Sequence, residues 1–254
     1  MRIAVCVQEY YPSGSGIGNV AHYLVKELKK LGHTPTIISP KEGDIKLGSD
    51  KLIKYLCGFG IIYFWRQVYK YLTKNKKNFD LIWVHNPLFL NKINFEVMST
   101  VHTTYKGRVY GKHFNIFAKI YYFIMKKIES FCYNKNKFKT NIISKAVEKE
   151  LKDYGLKQIK YIPNGVDVNF FKPNGRFDFN FNPKYKYGIC LSRVAYQKNP
   201  FGLIKAIEEA NKHMKLKLLW AGSGELFEKV NKFIKNNKIK HTTLLGKVKH
   251  EKVP

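Results

Sequence analysis

The fold is decided by the opening stretch Met1-Arg-Ile-Ala-Val-Cys-Val7 and by the loop Ser13-Gly-Ser-Gly-Ile-Gly-Asn19 that follows it. The opening stretch is a short apolar run, which is typical of a buried parallel strand. Beyond the loop, apolar residues recur at helical spacing until Gly32 ends the helix, and they are Val20, Leu24, Val25, Leu28 and Leu31. A strand, a glycine turn and an amphipathic helix in this order predict the first unit of a parallel α/β sheet.

The same alternation continues along the chain. Further strands are predicted at 34–39, 81–85, 97–100, 141–143 and 159–162, and helices at 51–74, 114–133 and 145–154. Residues 163–187, rich in Pro, Asn and Gly, interrupt the pattern. It then resumes with strands at 187–191, 216–221 and 242–245 and with helices that begin at residues 200 and 225. We therefore expect an α/β protein with two doubly wound, Rossmann-like parallel sheets, in domains 1–172 and 173–254, whose strand ends face a cleft.

The chain of 254 residues is strongly basic, with 46 Lys and Arg against 18 Asp and Glu and a net charge of +28. The excess is spread along the sequence, which favours attraction to polyanions, anionic membranes or phosphorylated substrates over a localised nucleic-acid arm. A lysine bias on solvated faces accounts for it equally well. No nucleic-acid recognition motif is present, so no specific nucleic-acid partner is expected.

Cysteine spacing and hydropathy indicate the cellular compartment. The four cysteines lie far apart in the sequence, which argues against a zinc site and against a disulfide framework. No signal peptide is visible, and the longest uncharged apolar run, residues 55–65, is shorter than the ~18 residues that span a bilayer. We expect a cytoplasmic protein, with the inner face of the membrane as an open alternative.

The segment Ser192-Arg-Val-Ala-Tyr-Gln-Lys-Asn-Pro200 places Arg193 and Lys198 between a predicted strand and a predicted helix. The planar fork of Arg can bind two phosphate oxygens, and the ammonium group of Lys can neutralise another. Two ordinary surface charges would look the same in a lysine-rich chain, but only five of its basic residues are arginines. We predict that this pair binds a diphosphate.

Two glycine turns follow predicted strands. In the first, Gly16 lies where backbone amides can approach an anion at a helix N-terminus. The G-x-G-x-G spacing fits neither a Walker loop nor a dinucleotide fingerprint, and a plain tight turn is the alternative. The second turn, Ala221-Gly-Ser-Gly-Glu225, places Gly222, Gly224 and Glu225 where they would face a nucleotide or its sugar, although glycine at such turns is often purely steric.

His85 and His102 both fall at the predicted ends of strands. A histidine at such a position can donate a hydrogen bond to a sugar hydroxyl or a leaving oxygen, and can exchange protons near neutral pH. A purely structural hydrogen bond is the alternative for each. The sequence has no Asp-x-Asp pair and no His/Cys cluster, so neither a metal nor another cofactor is expected.

Two stretches, 55–72 and 114–133, combine aromatic and basic residues. Most of their apolar side chains are predicted to face the core. Their basic residues could form the rim of a surface that contacts an anionic membrane, and these are Lys54, Arg66, Lys70, Lys119, Lys126 and Lys127.

Taken together, these motifs resemble the group 1 glycosyltransferases of family 4. The matching positions run through nearly the whole chain: the loop 13–19, Gly32-His33, His102, Ser144, residues 162–173, Arg193 with Lys198, residues 221–225 and Leu245-Gly246. The resemblance implies a GT-B architecture and a retaining, metal-independent transfer of sugar from a nucleotide-sugar to a glycan or lipid-linked acceptor. It implies that Arg193 and Lys198 hold the donor diphosphate and that Gly16 approaches that phosphate or the acceptor. It also implies that His102 lies near the transferred sugar as the catalytic residue.

The sequence departs from the family pattern in one respect. Such enzymes carry a pair of glutamates in the second half of the C-terminal domain, and these bind the donor sugar and ribose. The sequence ends at Pro254 before any such segment, so we expect a truncated donor domain. The alternative function is a non-catalytic remnant that binds polyanions or a partner glycosyltransferase.

Overall fold

A computed structural model of the chain describes residues 1–12, 16–109, 116–172 and 181–249. It consists of two compact units, Met1–Gly165 and Val166–Pro254. The sequence prediction placed this division after Lys172, within the same Pro- and Gly-rich segment.

The first unit contains a seven-stranded sheet in the order β3-β2-β1-β4-β5-β6-β7, and every strand pair is parallel. Its strands are β1 (Arg2–Cys6), β2 (Thr34–Ser39), β3 (Ile45–Lys46), β4 (Leu81–His85), β5 (Met98–Val101), β6 (Lys139–Ile142) and β7 (Ile159–Tyr161). Its helices are α1 (Gly16–Lys30), α2 (Asp50–Leu56), α3 (Gly58–Asn75), α4 (Tyr105–Val109), α5 (Ile116–Asn136) and α6 (Lys145–Asp153), with a 3₁₀ turn at Lys76–Asn78.

Strand β1 lies at the centre of this sheet because it is apolar on both faces. Ile3 and Val5 pack with Val25 of α1 on one face. Ala4 and Cys6 point to the other face, where the larger core contains Phe64 and Trp65 of α3 among other residues. Helices cover both faces, as a doubly wound sheet requires.

Register brings three strand ends to one edge of the sheet. Cys6 pairs with Ile38 of β2 and with Val84 of β4. In turn, His85 pairs with Thr100 of β5. The segments that follow β1, β4 and β5 therefore start side by side, which is where open α/β sheets bind ligands.

The prediction of one helix over 51–74 is wrong at a single point. The chain turns at Cys57, whose φ of +46° is left-handed, and α2 ends there as α3 begins. Gly60 permits the close packing of the two helices, since a Cβ on it would lie 2.3 Å from the Leu52 carbonyl oxygen. Periodicity could not show the break, because apolar residues continue across it.

Two smaller expectations also differ from the structure. Leu31 was placed on the buried face of the first helix, but it follows the last residue of α1 and is 72% exposed. The two-residue strand β3 has no sequence signal of its own, since it is an edge strand paired only with Ile38 and Ser39 of β2.

The second unit contains a three-stranded parallel sheet in the order β10-β9-β8. Its elements are β8 (Lys186–Leu191), a 3₁₀ turn at Tyr196–Lys198, α7 (Pro200–Ala210), β9 (Leu216–Ala221), α8 (Phe227–Asn236) and β10 (Thr242–Gly246). Ile204 of α7, Val230 of α8, and Leu218 and Trp220 of β9 share one core. These elements confirm the predicted alternation after residue 187.

Candidate donor and transfer sites

In the second unit, Arg193 follows the carboxyl end of β8, and Lys198 ends the 3₁₀ turn before α7. Both side chains are exposed. Neither forms an ion pair or a side-chain hydrogen bond with any residue in the described part of the chain. Both residues lie between β8 and α7, as the sequence predicted, and their binding of a diphosphate stays a prediction.

A capping residue and a proline at the start of α7 fix the backbone that follows Lys198. Asn199 adopts a left-handed conformation, with φ of +46°, and its side-chain Oδ1 accepts a hydrogen bond of 3.3 Å from the Gly202 amide. Pro200 then occupies the first helical position, where its missing N–H costs nothing. The cap fixes the direction in which the chain passes from Lys198 into the helix.

The backbone of the Arg193 segment is hydrogen-bonded to the segment after β9. Trp220 Nε1 donates to the Ser192 carbonyl oxygen at 3.0 Å. The Val194 amide donates to the Ser223 carbonyl oxygen at 3.1 Å, and the Val194 carbonyl oxygen accepts from Leu226 at 3.0 Å. Because Val194 is fully buried, the exposed Arg193 side chain stands on a fixed backbone.

Gly222 and Gly224 have a steric role in this arrangement. A Cβ on Gly222, whose φ is +152°, would lie 1.9 Å from the Ser192 carbonyl oxygen. A Cβ on Gly224 would lie 2.5 Å from the Val194 carbonyl oxygen. Only glycine lets the two segments approach this closely, so both residues support the position of Arg193. Glu225 is exposed, and the prediction that these three residues face a nucleotide or its sugar stays a prediction.

In the first unit, the glycine loop after β1 leads into α1. Ser13 to Ser15 lie outside the described residues. Gly16 is the first residue of α1, and no other described residue outside its own helix comes within 4 Å of the position that its Cβ would take. Gly18 instead packs on the backbone, since its Cβ would lie 2.7 Å from the Glu9 carbonyl oxygen. Packing therefore requires glycine at position 18, whereas the described residues leave room for a side chain at position 16.

His85 and His102 meet at the ends of β4 and β5. His85 Nδ1 lies 3.0 Å from His102 Nε2, and the two rings stack with centroids 5.3 Å apart. His85 is fully buried, and His102 is partly exposed. The sequence placed each histidine at a strand end but did not predict their contact, which depends on the adjacency of β4 and β5.

Asn86 anchors this pair and was not predicted. Its φ is +49°, its Oδ1 accepts from the His102 amide at 2.8 Å, and its Nδ2 donates to the Thr103 carbonyl oxygen at 3.3 Å. The sequence signal was the Asn-Pro pair at 86–87, which favours a turn directly after a strand. Asn86 thereby fixes the backbone that carries His102.

Burial controls the charge of both histidines. Burial, and to a smaller extent the neighbouring His102, together lower the pKa of His85 to about 3. Burial also lowers the pKa of His102 to about 4. Both rings are therefore neutral at pH 7, and the expected proton exchange by His102 near neutral pH does not fit this environment.

A buried carboxyl group supports the segment after His102. Glu129 of α5 accepts from the Tyr105 amide at 2.7 Å and from the Tyr154 hydroxyl at 3.0 Å. Burial raises the pKa of Glu129 to about 8, against the opposing effect of these hydrogen bonds. Thr104 donates to Glu150 of α6, so α4, α5 and α6 are joined by polar contacts beside the histidine pair.

Helix α5 exposes an apolar face. Its exposed members recur at helical spacing and are Ile116, Phe117, Ile120, Phe123, Ile124 and Phe131. Phe117 is 78% exposed. The α2–α3 turn packs against the same helix, since the Gly58 amide donates to the Tyr121 hydroxyl at 2.8 Å. The prediction that most apolar residues of 114–133 face the core is therefore wrong for this face.

Basic residues accompany this apolar face. Lys127 lies over the Phe123 ring at 5.6 Å, and Lys135 lies over the Phe131 ring at 5.1 Å. Arg66 and Lys70 of α3 instead line a pocket of about 340 Å³ together with Trp65. Across the described residues, no helix is both long enough and apolar enough to traverse a bilayer. Nor do three His, Cys, Asp or Glu side chains gather in that part of the chain as a metal site would require.

Two parallel α/β units in succession, with Arg193 and Lys198 exposed after the first strand of the second unit, are the arrangement expected of GT-B-like glycosyltransferases. The model of Glycosyltransferase Family 4 matches residues 14–170, and that of Glycosyl transferases group 1 matches residues 171–254. The chain belongs to Glycosyltransferase Family 4.

Two relatives match along 96% of the chain. One is an uncharacterized glycosyltransferase of Methanocaldococcus jannaschii, which is 26% identical over 260 residues. The other is the alpha-monoglucosyldiacylglycerol synthase of Streptococcus pneumoniae, which is 23% identical over 274 residues. The chain spans 66% of the length of the first relative and 60% of the second.

Solved glycosyltransferase structures share the fold. WaaG, a glycosyltransferase involved in lipopolysaccharide biosynthesis, aligns over 97% of this chain and 70% of its own, with a TM-score of 0.67 and 14% identity. HepE from Anabaena, solved in complex with UDP, aligns over 99% of this chain and 70% of its own, with a TM-score of 0.56 and 13% identity. These likenesses confirm the predicted GT-B-like fold class.

Proposed function

We propose that this chain serves in the transfer of a sugar from a nucleotide-sugar to a glycan or lipid-linked acceptor, with retention of configuration and without a metal. The observation that carries the proposal is the pair of exposed, unpaired cations, Arg193 and Lys198, on a rigid strand-to-helix segment. A departing nucleoside diphosphate carries the negative charge that such groups stabilise. The nucleotide would bind to the second unit, and the acceptor to the first.

The comparisons support a nucleotide donor. HepE was solved with UDP, and a similar structure was solved as an alpha-glucosyltransferase in complex with UDP-glucose and DNA containing an abasic site. Retention and independence from metal rest on the family resemblance. In this proposal the cationic pair and backbone amides supply the positive potential, and Gly16 of α1 leaves room for an approaching phosphate or acceptor.

A lipid-linked acceptor would place the protein at an anionic membrane. The exposed apolar face of α5, with lysines over its aromatic rings, has the composition of an interfacial surface. The Streptococcus pneumoniae relative is, by name, an alpha-monoglucosyldiacylglycerol synthase, and its name contains a lipid. We therefore propose a cytoplasmic protein that docks on the inner face of the membrane through α5.

The alternative, a protein that binds polyanions or a partner glycosyltransferase without turnover, draws on the net charge of +28. Charge alone predicts binding that weakens steeply with salt and ignores the identity of the anion. Binding that requires Arg193 and discriminates nucleoside diphosphates from inorganic polyphosphate would separate the two functions.

The test is release of nucleoside diphosphate from a panel of nucleotide-sugars, with lipid and glycan acceptors, in the presence and absence of EDTA. We expect turnover that EDTA leaves unchanged, and a product whose anomeric configuration, read by NMR, equals that of the donor. His102→Ala should lower kcat by at least tenfold while the melting temperature changes little. Equal loss of activity and stability would assign His102 a structural role instead.

A further inference from the structure

The contact between His85 and His102 constrains where their protons lie. A hydrogen bond between His85 Nδ1 and His102 Nε2, at 3.0 Å, requires a proton on one of these nitrogens and none on the other. His85 Nε2 is buried and has no hydrogen-bond partner among the residues that the structure describes. Whether His85 Nε2 carries a proton distinguishes two arrangements of the hydrogen bond between the rings.

In one arrangement, His102 Nε2 donates to His85 Nδ1. Neutral His85 then carries its own proton on Nε2, where a buried N–H finds no acceptor. In the other arrangement, His85 Nδ1 donates to His102 Nε2, and the buried Nε2 of His85 is a bare acceptor. Among buried backbone groups, an N–H without a partner is rarer than an under-satisfied acceptor. We apply the same preference to the ring nitrogens of His85, which favours the second arrangement.

We propose that His85 is a positioning residue, which donates from Nδ1 and thereby locks His102 in the neutral tautomer with its proton on Nδ1. His102 Nδ1 forms no hydrogen bond with any described residue, so this N–H is available to a ligand. It would donate to an oxygen of the sugar donor or of its leaving group. This role of His102 rests on the proposed function, whereas the tautomer itself does not.

The surroundings hold the pair in this state. Trp83 stacks on His85 with ring centroids 5.2 Å apart, and Trp83 Nε1 donates to Thr100 Oγ1 at 2.8 Å, so β4 and β5 are tied together beneath the rings. Burial keeps both rings uncharged, and among the described residues His102 is the titratable group that acts on the pKa of His85. The pair can therefore present the His102 Nδ1–H group as an uncharged hydrogen-bond donor of fixed direction.

The test is nitrogen-15 NMR of the histidine rings in the full chain, labelled at histidine, between pH 6 and 8. We expect His102 of the wild type to be protonated on Nδ1 and bare on Nε2. His85→Leu removes the donor that favours a bare Nε2, so a measurable fraction of His102 should shift to the tautomer with its proton on Nε2. His85→Asn keeps an N–H near the position of Nδ1 and should restore the wild-type pattern.

The control is His33→Gln, which removes a histidine that precedes β2 at the opposite edge of the sheet. It should leave the His102 signals unchanged. A proton on His102 Nε2 in the wild type, or the same pattern in His85→Leu, would overturn the proposal. The wild-type spectrum alone decides the tautomer if His85→Leu does not fold. Full turnover in His102→Ala would instead remove the proposed role in transfer and leave the tautomer standing.

Discussion

The charge state of His102 follows from its position in the sheet. It lies two residues after Thr100, which pairs with His85, so the neighbouring strand ends bring the two rings into contact. Burial then lowers the pKa of His102 to about 4, well below its ordinary 6.5. A group of this kind is neutral at pH 7 and can direct a hydrogen bond there. The sequence shows that a histidine lies at a strand end, whereas its charge state depends on burial in the folded chain.

Glycines that look alike in the sequence differ in what they contact. The structure separates Gly224, whose missing side chain makes room for the Val194 backbone, from Gly16, where the described residues leave room for a side chain. No sequence pattern distinguishes them, because each follows a strand and precedes a helix. The difference arises from the approach of a segment that is distant in sequence.

Gly224→Ala should therefore destabilise the second unit, whereas Gly16→Ala should not alter stability. The Cβ of the first variant would lie 2.5 Å from a carbonyl oxygen, so the backbone must shift, at a cost of about 1–3 kcal/mol. The matched variant adds the same methyl group where no described residue outside the helix itself comes within 4 Å. Thermal unfolding measures both. Equal melting temperatures would show that the Arg193 segment does not depend on this packing.

At the scale of elements, the periodicity of the sequence locates most strands and helices of both units. The predicted strands at 81–85 and 216–221 coincide with β4 and β9. The break at Cys57 escaped prediction because a left-handed residue between two apolar stretches leaves the hydrophobic pattern intact. The exposed face of α5 was not predicted, because large aromatic residues usually indicate a buried helix face.

Glu129 gives the junction of α4, α5 and α6 a predictable pH dependence. Its pKa is raised from 4.5 to about 8, so the folded chain keeps a proton that the unfolded chain loses. This contribution to stability is fully present below pH 4.5 and is lost as the pH rises through 8. Glu129→Gln should melt like the wild type at pH 4 and be more stable at pH 9, on the order of a few kcal/mol.

Scanning calorimetry at both pH values checks this difference. Glu148→Gln is the control, because it removes a carboxylate from the surface of α6, where Glu148 pairs with Lys152 at 2.6 Å. The control should show no gain specific to pH 9. If Glu129→Gln shows no such gain either, Glu129 is already ionised in the folded protein.

The apolar face of α5 should bind anionic vesicles. Phe117→Ser combined with Phe123→Ser should weaken binding to phosphatidylglycerol vesicles by at least tenfold, since burying one such side chain contributes about 1.5–3 kcal/mol. Leu31→Ser provides the control, because Leu31 is equally exposed but follows α1 and lies outside this face. Flotation with vesicles measures both. Retention of binding in the double variant would mean that charge alone, or another surface, makes the contact.

For the whole molecule, the sequence predicts two α/β units and places the candidate donor cations on the second. The order of the strands in space, and hence the meeting of His85 with His102, could not be predicted, because the sequence does not state which strands are neighbours. The net charge of +28 is visible from composition but does not choose between a nucleotide site and general attraction to polyanions. Substituting a specific pair of residues would distinguish the nucleotide site from general attraction to polyanions.

The most direct measurement is calorimetric titration of the full chain with UDP and the other nucleoside diphosphates. We predict that Arg193→Ala with Lys198→Ala weakens binding by at least tenfold, at about 1.5–3 kcal/mol for each charged hydrogen bond lost. A variant of equal charge, Lys205→Ala with Lys232→Ala, changes exposed lysines of α7 and α8 and should bind like the wild type. Unchanged affinity in the first variant, equal loss in both variants, or no binding by the wild type would contradict a donor site at Arg193 and Lys198.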